Sequence, residues 1–137
     1  MKALHNEKRL VSFDDCDPAG ILFFANHMKW AHQLIENFWA QSDLGWKFWF
    51  QNPEWGAPLR HVETDYKAPV FAGETVQVRL FLAQRGDSSV KFCTLIEDTE
   101  GKVLAEVQTT HVCVSKATRQ SRDFPAAVWQ ALDASTH

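Results

Sequence analysis

The chain has 137 residues, 45% hydrophobic and 23% charged, with a formal net charge of −3. That length suits one domain with one hydrophobic core, and the apolar content can offset the entropy of ordering, which argues against a disordered chain. The acidic balance argues against a general nucleic-acid binder, and no apolar run nears the roughly 18–20 residues that span a bilayer.

Cys16, Cys93 and Cys113 are odd in number and widely spaced, which points to reduced thiols rather than a disulfide framework. With no basic-then-apolar leader at its start, the chain is expected to be soluble and cytoplasmic, with neither membrane nor nucleic acid as partner. Six Trp and ten Phe stand against one Tyr. Such side chains either line a pocket for an apolar ligand or fill a core or subunit interface.

In chain order, residues 9–13 carry β-formers in partial alternation and predict a first strand. Asp14-Asp15-Cys16-Asp17-Pro18-Ala19-Gly20 follows, a run of loop chemistry. Residues 28–40 change period: Trp30, Ala31, Leu34, Ile35, Phe38 and Trp39 recur at three- and four-residue spacing. That pattern predicts an amphipathic helix, with Asn26 as its N-cap. A Trp-rich connection over 42–58 leads to four β-like segments, residues 59–67, 75–85, 89–97 and 103–115. Short polar links containing Gly86 and Gly101 join the last three as hairpins. Pro125 opens a terminal helix over 124–134.

No internal repeat, low-complexity stretch or linker divides the sequence, so residues 1–137 are read as one domain with a core over about 8–115. Strand, long helix, then four strands in a meander make an α+β architecture: an antiparallel sheet of about five strands wrapped around the helix. A sheet of this kind leaves edges to be covered, which favours pairing with a second copy.

The chemistry-bearing stretch is residues 14–26, between first strand and helix. Backbone N–H groups at a helix start lack intrahelical partners and can polarise a carbonyl. A carboxylate just upstream could attack the polarised carbon or activate a water. The same Asp residues could equally do no more than build turns and caps.

The run Asp15-Cys16-Asp17-Pro18-Ala19-Gly20-Ile21, then Phe23-Phe24, Asn26 and Trp30, resembles the opening motif of the 4-hydroxybenzoyl-CoA thioesterase family. The likeness continues more loosely through residues 64–70, Gly73-Glu74 and the later strands. It implies a hotdog fold, paired into homodimers with active sites at subunit interfaces; self-association is expected as a homodimer or, by further pairing, a homotetramer, a choice the residues leave open. It implies hydrolysis of an acyl-CoA thioester and no metal or prosthetic group. By the same resemblance Asp17 is the catalytic carboxylate, as nucleophile or general base. The backbone amide of Phe24 polarises the thioester carbonyl, and Gly20 lets the chain pass close to the substrate.

Substrate-binding positions implied are Phe23, Asn26, His27, His32 and Thr64; Arg85 and Lys91, flanking Gly86-Asp87-Ser88, are either solvated hairpin charges or candidates for the CoA phosphates. Where relatives that take 4-hydroxybenzoyl groups carry an acidic residue, this chain has His32. That choice resembles relatives acting on 1,4-dihydroxy-2-naphthoyl-CoA; His32 could also be a solvated residue on the helix's polar face. The acyl group is therefore expected to be aromatic (hydroxybenzoyl- or dihydroxynaphthoyl-like) or short to medium in length. Two alternatives keep the fold: a thioesterase for acyl carrier protein, and a non-catalytic acyl-CoA-binding protein.

Other constellations fail on their own chemistry. Asp15-Cys16-Asp17 lacks the Thr or Val that a phosphatase D-x-D loop needs where Ala19 stands. His61-Val62-Glu63 has no following P-C-x-x-C. His27 and His32 are five apart and do not share a helical face, and no base partner marks Cys16 as a nucleophile.

Overall fold

The computed structural model describes residues 2–136. A five-stranded antiparallel sheet holds β1 (His5–Leu10), β3 (Leu59–Tyr66), β4 (Thr75–Arg85), β5 (Ser89–Glu97) and β6 (Val103–Val112), in the order β1-β4-β5-β6-β3. Helix α1 (Asn26–Gln41) lies against β1, β4 and β6. A short helix α2 (Trp46–Phe50), two-residue strands β2 (Trp55–Gly56) and β7 (Val114–Ser115), and α3 (Ala126–Thr136) complete the chain.

The periodicity that predicts α1 is the one it buries. Trp30, Ala31, Leu34, Ile35, Phe38 and Trp39 are each 5% exposed or less. All but Ala31 share one core cluster with alternate residues of the sheet: Val76, Val78 and Leu80 of β4, Val90, Phe92 and Ile96 of β5, and Ala105 of β6. Ser42 ends the helix, its N–H reaching Phe38 O at 3.1 Å and its Oγ donating to Trp39 O at 2.7 Å.

Four local expectations are corrected. The first strand is His5–Leu10, and Phe13–Asp15 form a 3-10 turn instead of strand. β1 was hard to read because its inward residues are polar. Glu7 pairs with Val78 and Arg9 with Val76, yet they face the polar flank of α1: Asn37 Nδ2 donates to Glu7 Oε2 at 3.0 Å, and Arg9 Nη2 donates to Gln33 Oε1 at 2.7 Å. Second, Asn26 is the first helical residue rather than the N-cap. Ala25 occupies that place with no side-chain cap, and Asn26 Nδ2 donates instead to Asp15 O at 2.7 Å.

Third, the Trp-rich connection is structured. Trp39 and Trp49 stack at 4.6 Å, Trp49 and Phe124 at 5.5 Å, and Trp55 packs edge-on against Trp49 and Phe124. These rings fill the core, since Trp30, Trp39, Trp49 and Trp55 are each 3% exposed or less. Val128 and Leu132 of α3 are buried in the same core. Fourth, the later strands are not one meander. β3 pairs with β6, so residues 67–74 carry the chain across the sheet to β4, and the final segment breaks at Cys113 into β6 and β7. β3 therefore stands at an edge, with Leu59 and Tyr66 exposed.

Candidate active site

The segment between the 3-10 turn and the helix folds because of its turn residues. Asp17-Pro18-Ala19-Gly20 is a tight turn closed by Gly20 N–H on Asp17 O at 2.9 Å, with Pro18 pre-setting its second position. Gly20 then takes φ +77°, the left-handed region that glycine enters without strain. A Cβ there would meet nothing within 4 Å, so in this protomer backbone conformation explains the glycine, and closeness to another group does not. The turn is stitched down by Asp17 N–H on Ile21 O at 2.8 Å, Leu22 N–H on Val70 O at 2.7 Å and Ala72 N–H on Gly20 O at 2.9 Å.

Within that turn one oxygen of Asp17 is occupied. Its Oδ1 accepts from Ala19 N–H at 2.9 Å and Ile21 N–H at 3.2 Å, while Oδ2 accepts no hydrogen bond among the described residues. The carboxylate is half-buried and its direction is fixed from the backbone. Asp17 lines an open cleft of about 490 Å³ together with Ile21, Leu22, Phe23, Phe24 and His27. Tyr66-Lys67-Ala68-Pro69-Val70 line it as well.

At the start of α1, Phe23 N–H donates to Asp15 O at 3.0 Å and Asn26 N–H to Phe23 O at 2.9 Å. The Phe24 N–H has no partner among the described residues, as expected where the helix ladder has not begun. The Phe24 carbonyl, by contrast, accepts twice, from Tyr66 Oη at 2.6 Å and from His27 Nδ1 at 3.2 Å. His27 is 4% exposed. Burial pushes its pKa below the usual histidine value, against the raising effect of the Phe24 and Phe23 backbone, so the ring is neutral near pH 7.

Of the residues singled out from the sequence, Asp17, Phe23, Phe24 and His27 come together at this cleft, and Asn26 braces it through Asp15. The others lie elsewhere in the protomer. His32 is exposed, 3.3 Å from Glu36 one turn on and edge-on to Phe50. Thr64 points inward from β3 with its Oγ1 buried and unpaired. Arg85 is engaged by α3, 3.0 Å from Asp133 and over the Trp129 ring at 4.6 Å. Lys91 sits one residue from inward-facing Val90 and Phe92, on the sheet face away from α1.

Sequence reasoning passed over Tyr66. The available signal was slight: it is the one tyrosine of the chain, at the end of a β-like segment just before Lys67-Ala68-Pro69. Among the described residues no group of three or more His, Cys, Asp or Glu could hold a metal ion, and no helix is long and apolar enough to cross a membrane. The three cysteines are free.

A five-stranded antiparallel sheet packed on one long helix is the hotdog arrangement, that of the thioesterases. Known proteins agree with this at the level of both sequence and fold. The family model described as thioesterase-like superfamily matches residues 11–132. The 1,4-dihydroxy-2-naphthoyl-CoA hydrolase of Nostoc punctiforme is 31% identical over 126 residues, 91% of this chain and 84% of that one. The protein of the same name from Gloeothece citriformis is 30% identical, over 90% of this chain and 88% of its own. A crystal structure of a 1,4-dihydroxy-2-naphthoyl-CoA thioesterase from Synechocystis superposes with a TM-score of 0.85 at 25% identity, covering 96% of this chain and 97% of that one. The chain belongs to the thioesterase-like superfamily.

Proposed function

We propose that the protein hydrolyses an aromatic acyl-CoA, of the dihydroxynaphthoyl or hydroxybenzoyl type, using Asp17 and the backbone amide of Phe24. One observation carries the reading. Asp17 is held by Oδ1 with Oδ2 left free, at a cleft it shares with Phe24, whose N–H is unpaired.

In this reading the thioester carbonyl oxygen sits against the Phe24 N–H, where the positive end of the α1 dipole adds to the hydrogen bond. Asp17 either attacks the carbonyl carbon or takes a proton from the attacking water. The C–S bond breaks, the CoA thiolate leaves and is protonated, and water supplies the oxygen of the released acid. No metal or cofactor enters these steps.

The aromatic acyl group is supported by the likeness of residues 15–30 to 4-hydroxybenzoyl-CoA thioesterases and by the dihydroxynaphthoyl-CoA hydrolases among the relatives. Phe23, Phe24, His27 and Tyr66 give the cleft an apolar, aromatic wall suited to such a ring. His32 and the cation Lys91 would contribute only through a second copy, whereas Thr64 Oγ1 is buried within its own protomer and Arg85 is paired with Asp133. That copy is proposed to cover the exposed edge at β3, making a homodimer able to pair into tetramers. The separated free thiols fit a cytoplasmic setting.

Release of CoA thiol from 1,4-dihydroxy-2-naphthoyl-CoA, read with a thiol-reactive dye, tests the proposal. Asp17→Asn should lower turnover by at least about 100-fold, the scale of a lost general base or nucleophile. Wild-type turnover by that variant would remove Asp17 from the chemistry.

A further inference from the structure

Leu22, 2% exposed, anchors the chain in the core just before α1, but the Phe23-Phe24 turn beyond it has no hydrophobic anchor of its own. Phe23 and Phe24 stay 44% and 60% exposed, and their rings pack on each other at 4.6 Å. Polar contacts must therefore hold its peptide planes. Asn26 N–H on Phe23 O, at 2.9 Å, fixes the peptide that carries the Phe24 N–H. The next peptide is fixed by side chains, Tyr66 Oη on Phe24 O at 2.6 Å and His27 Nδ1 on the same oxygen at 3.2 Å. The Tyr66 and His27 rings meet edge-on at 4.7 Å, so each limits the other's rotation. Tyr66 itself ends β3, its backbone in register with Ala105 of β6.

We propose that Tyr66 is a positioning residue for the oxyanion donor: its hydroxyl ties the Phe24 carbonyl to the sheet edge and so aims the Phe24 N–H into the cleft. The proposal rests on the roles given above to Asp17 and Phe24. It follows from where the hydroxyl proton goes. That proton is committed to Phe24 O, so Tyr66 does not offer it to the substrate. Without the bond, the Phe24 carbonyl would keep only the longer contact to His27 among the described residues, and the turn would lose its hydrogen bond to β3. Misplacement of a reacting group by about 1 Å can cost up to about 100-fold in rate. Partial loss of aim, with His27 still bound, should cost less. The charge on the carbonyl oxygen develops in the transition state, so the loss belongs in kcat and leaves KM alone.

Four proteins test this on 1,4-dihydroxy-2-naphthoyl-CoA: wild type, D17N, Y66F, and the protein with 4-aminophenylalanine at position 66, which keeps the ring and an N–H donor. The expectation is a kcat about 5–30-fold lower for Y66F with KM within about twofold, and recovery to within about threefold of wild type with 4-aminophenylalanine. Three results overturn the proposal: Y66F at wild-type kcat, a raised KM with unchanged kcat (a direct substrate contact), or 4-aminophenylalanine no faster than Y66F. D17N separates the two levels. An unimpaired D17N removes the underlying site reading, whereas an inactive D17N beside an unaffected Y66F removes only the clamp. If Y66F does not fold, 4-fluorophenylalanine, which fills the hydroxyl's space without a donor, takes its place under the same outcomes.

Discussion

Gly20→Ala separates backbone conformation from space at the centre of the site. At φ +77° an L-residue is strained, whereas an added Cβ would touch nothing within 4 Å, so the penalty is conformational alone. The left-handed region costs an L-residue about 1–2 kcal/mol, and loss of glycine's freedom in the unfolded chain returns about 0.4–1 kcal/mol. The net is destabilisation of about 1 kcal/mol. Unfolding entropies near 2.1 cal/mol/K per residue give about 0.3 kcal/mol/K for a chain of this size, so the midpoint should fall by about 3–4 °C. Scanning calorimetry at one fixed protein concentration measures this, because self-association would make the midpoint depend on concentration.

Gly20→Asn supplies the control, since Asn enters the left-handed region more easily than Ala; its midpoint should lie between the other two. Turnover should fall with stability in the Ala variant, because Gly20 closes the turn on Asp17 O and its own carbonyl holds Ala72. An Ala variant that melts within 1 °C of wild type, or an Asn variant as unstable as Ala, would refute the conformational account (the 1 °C criterion being about a third of the expected shift).

Three further outcomes follow from the same packing and charge arguments. Leu34 is fully buried beneath α1, so Leu34→Ala should cost about 2–5 kcal/mol in a denaturant titration. His27 and His111 both have pKa values lowered by burial, opposed by backbone carbonyls and, for His111, lowered further by His32. The unfolded chain then binds more protons than the folded one below the ordinary histidine pKa. Stability should be complete above it and fall as pH drops through it toward the folded values; His111→Gln should flatten that acid slope in titrations at pH 7.5 and 5.5. Burial, with Glu106 beside it, pushes the Cys93 thiol up to about 12. Iodoacetamide at pH 7.5 should therefore leave Cys93 unmodified in native protein and label it once denatured, as peptide mass spectrometry would show.

Much of the fold could be read because its signals are local. The spacing of Trp30, Leu34, Ile35 and Phe38 is helical whatever surrounds it, and the alternation in Thr75–Arg85 and Ser89–Glu97 is a sheet pattern. Those last two strands carry the bounds expected of them. β1 could not be read, since its inward Glu7 and Arg9 make sense only beside Gln33 and Asn37, residues far along the chain. Asn26 shows the same limit: as an N-cap type it fits the helix start, yet its amide goes to Asp15 O eleven residues back. In the site, Asp17 and the helix start were legible as adjacent in sequence. Tyr66 was not, because a phenol acquires a role only when the sheet brings it to the Phe24 carbonyl.

By itself the sequence determined the period of each long element, the turn chemistry of Asp17-Pro18-Ala19-Gly20 and the nearness of a carboxylate to a helix start. These are properties of neighbours along the chain, set by backbone sterics and side-chain type. Only the tertiary structure decided that β3 lies beside β6, that four of the six tryptophans fill the core and leave the cleft to Phe23 and Phe24, and that Tyr66 faces His27. Those outcomes depend on which distant segments exclude water together, and burial is a property of the whole packed chain.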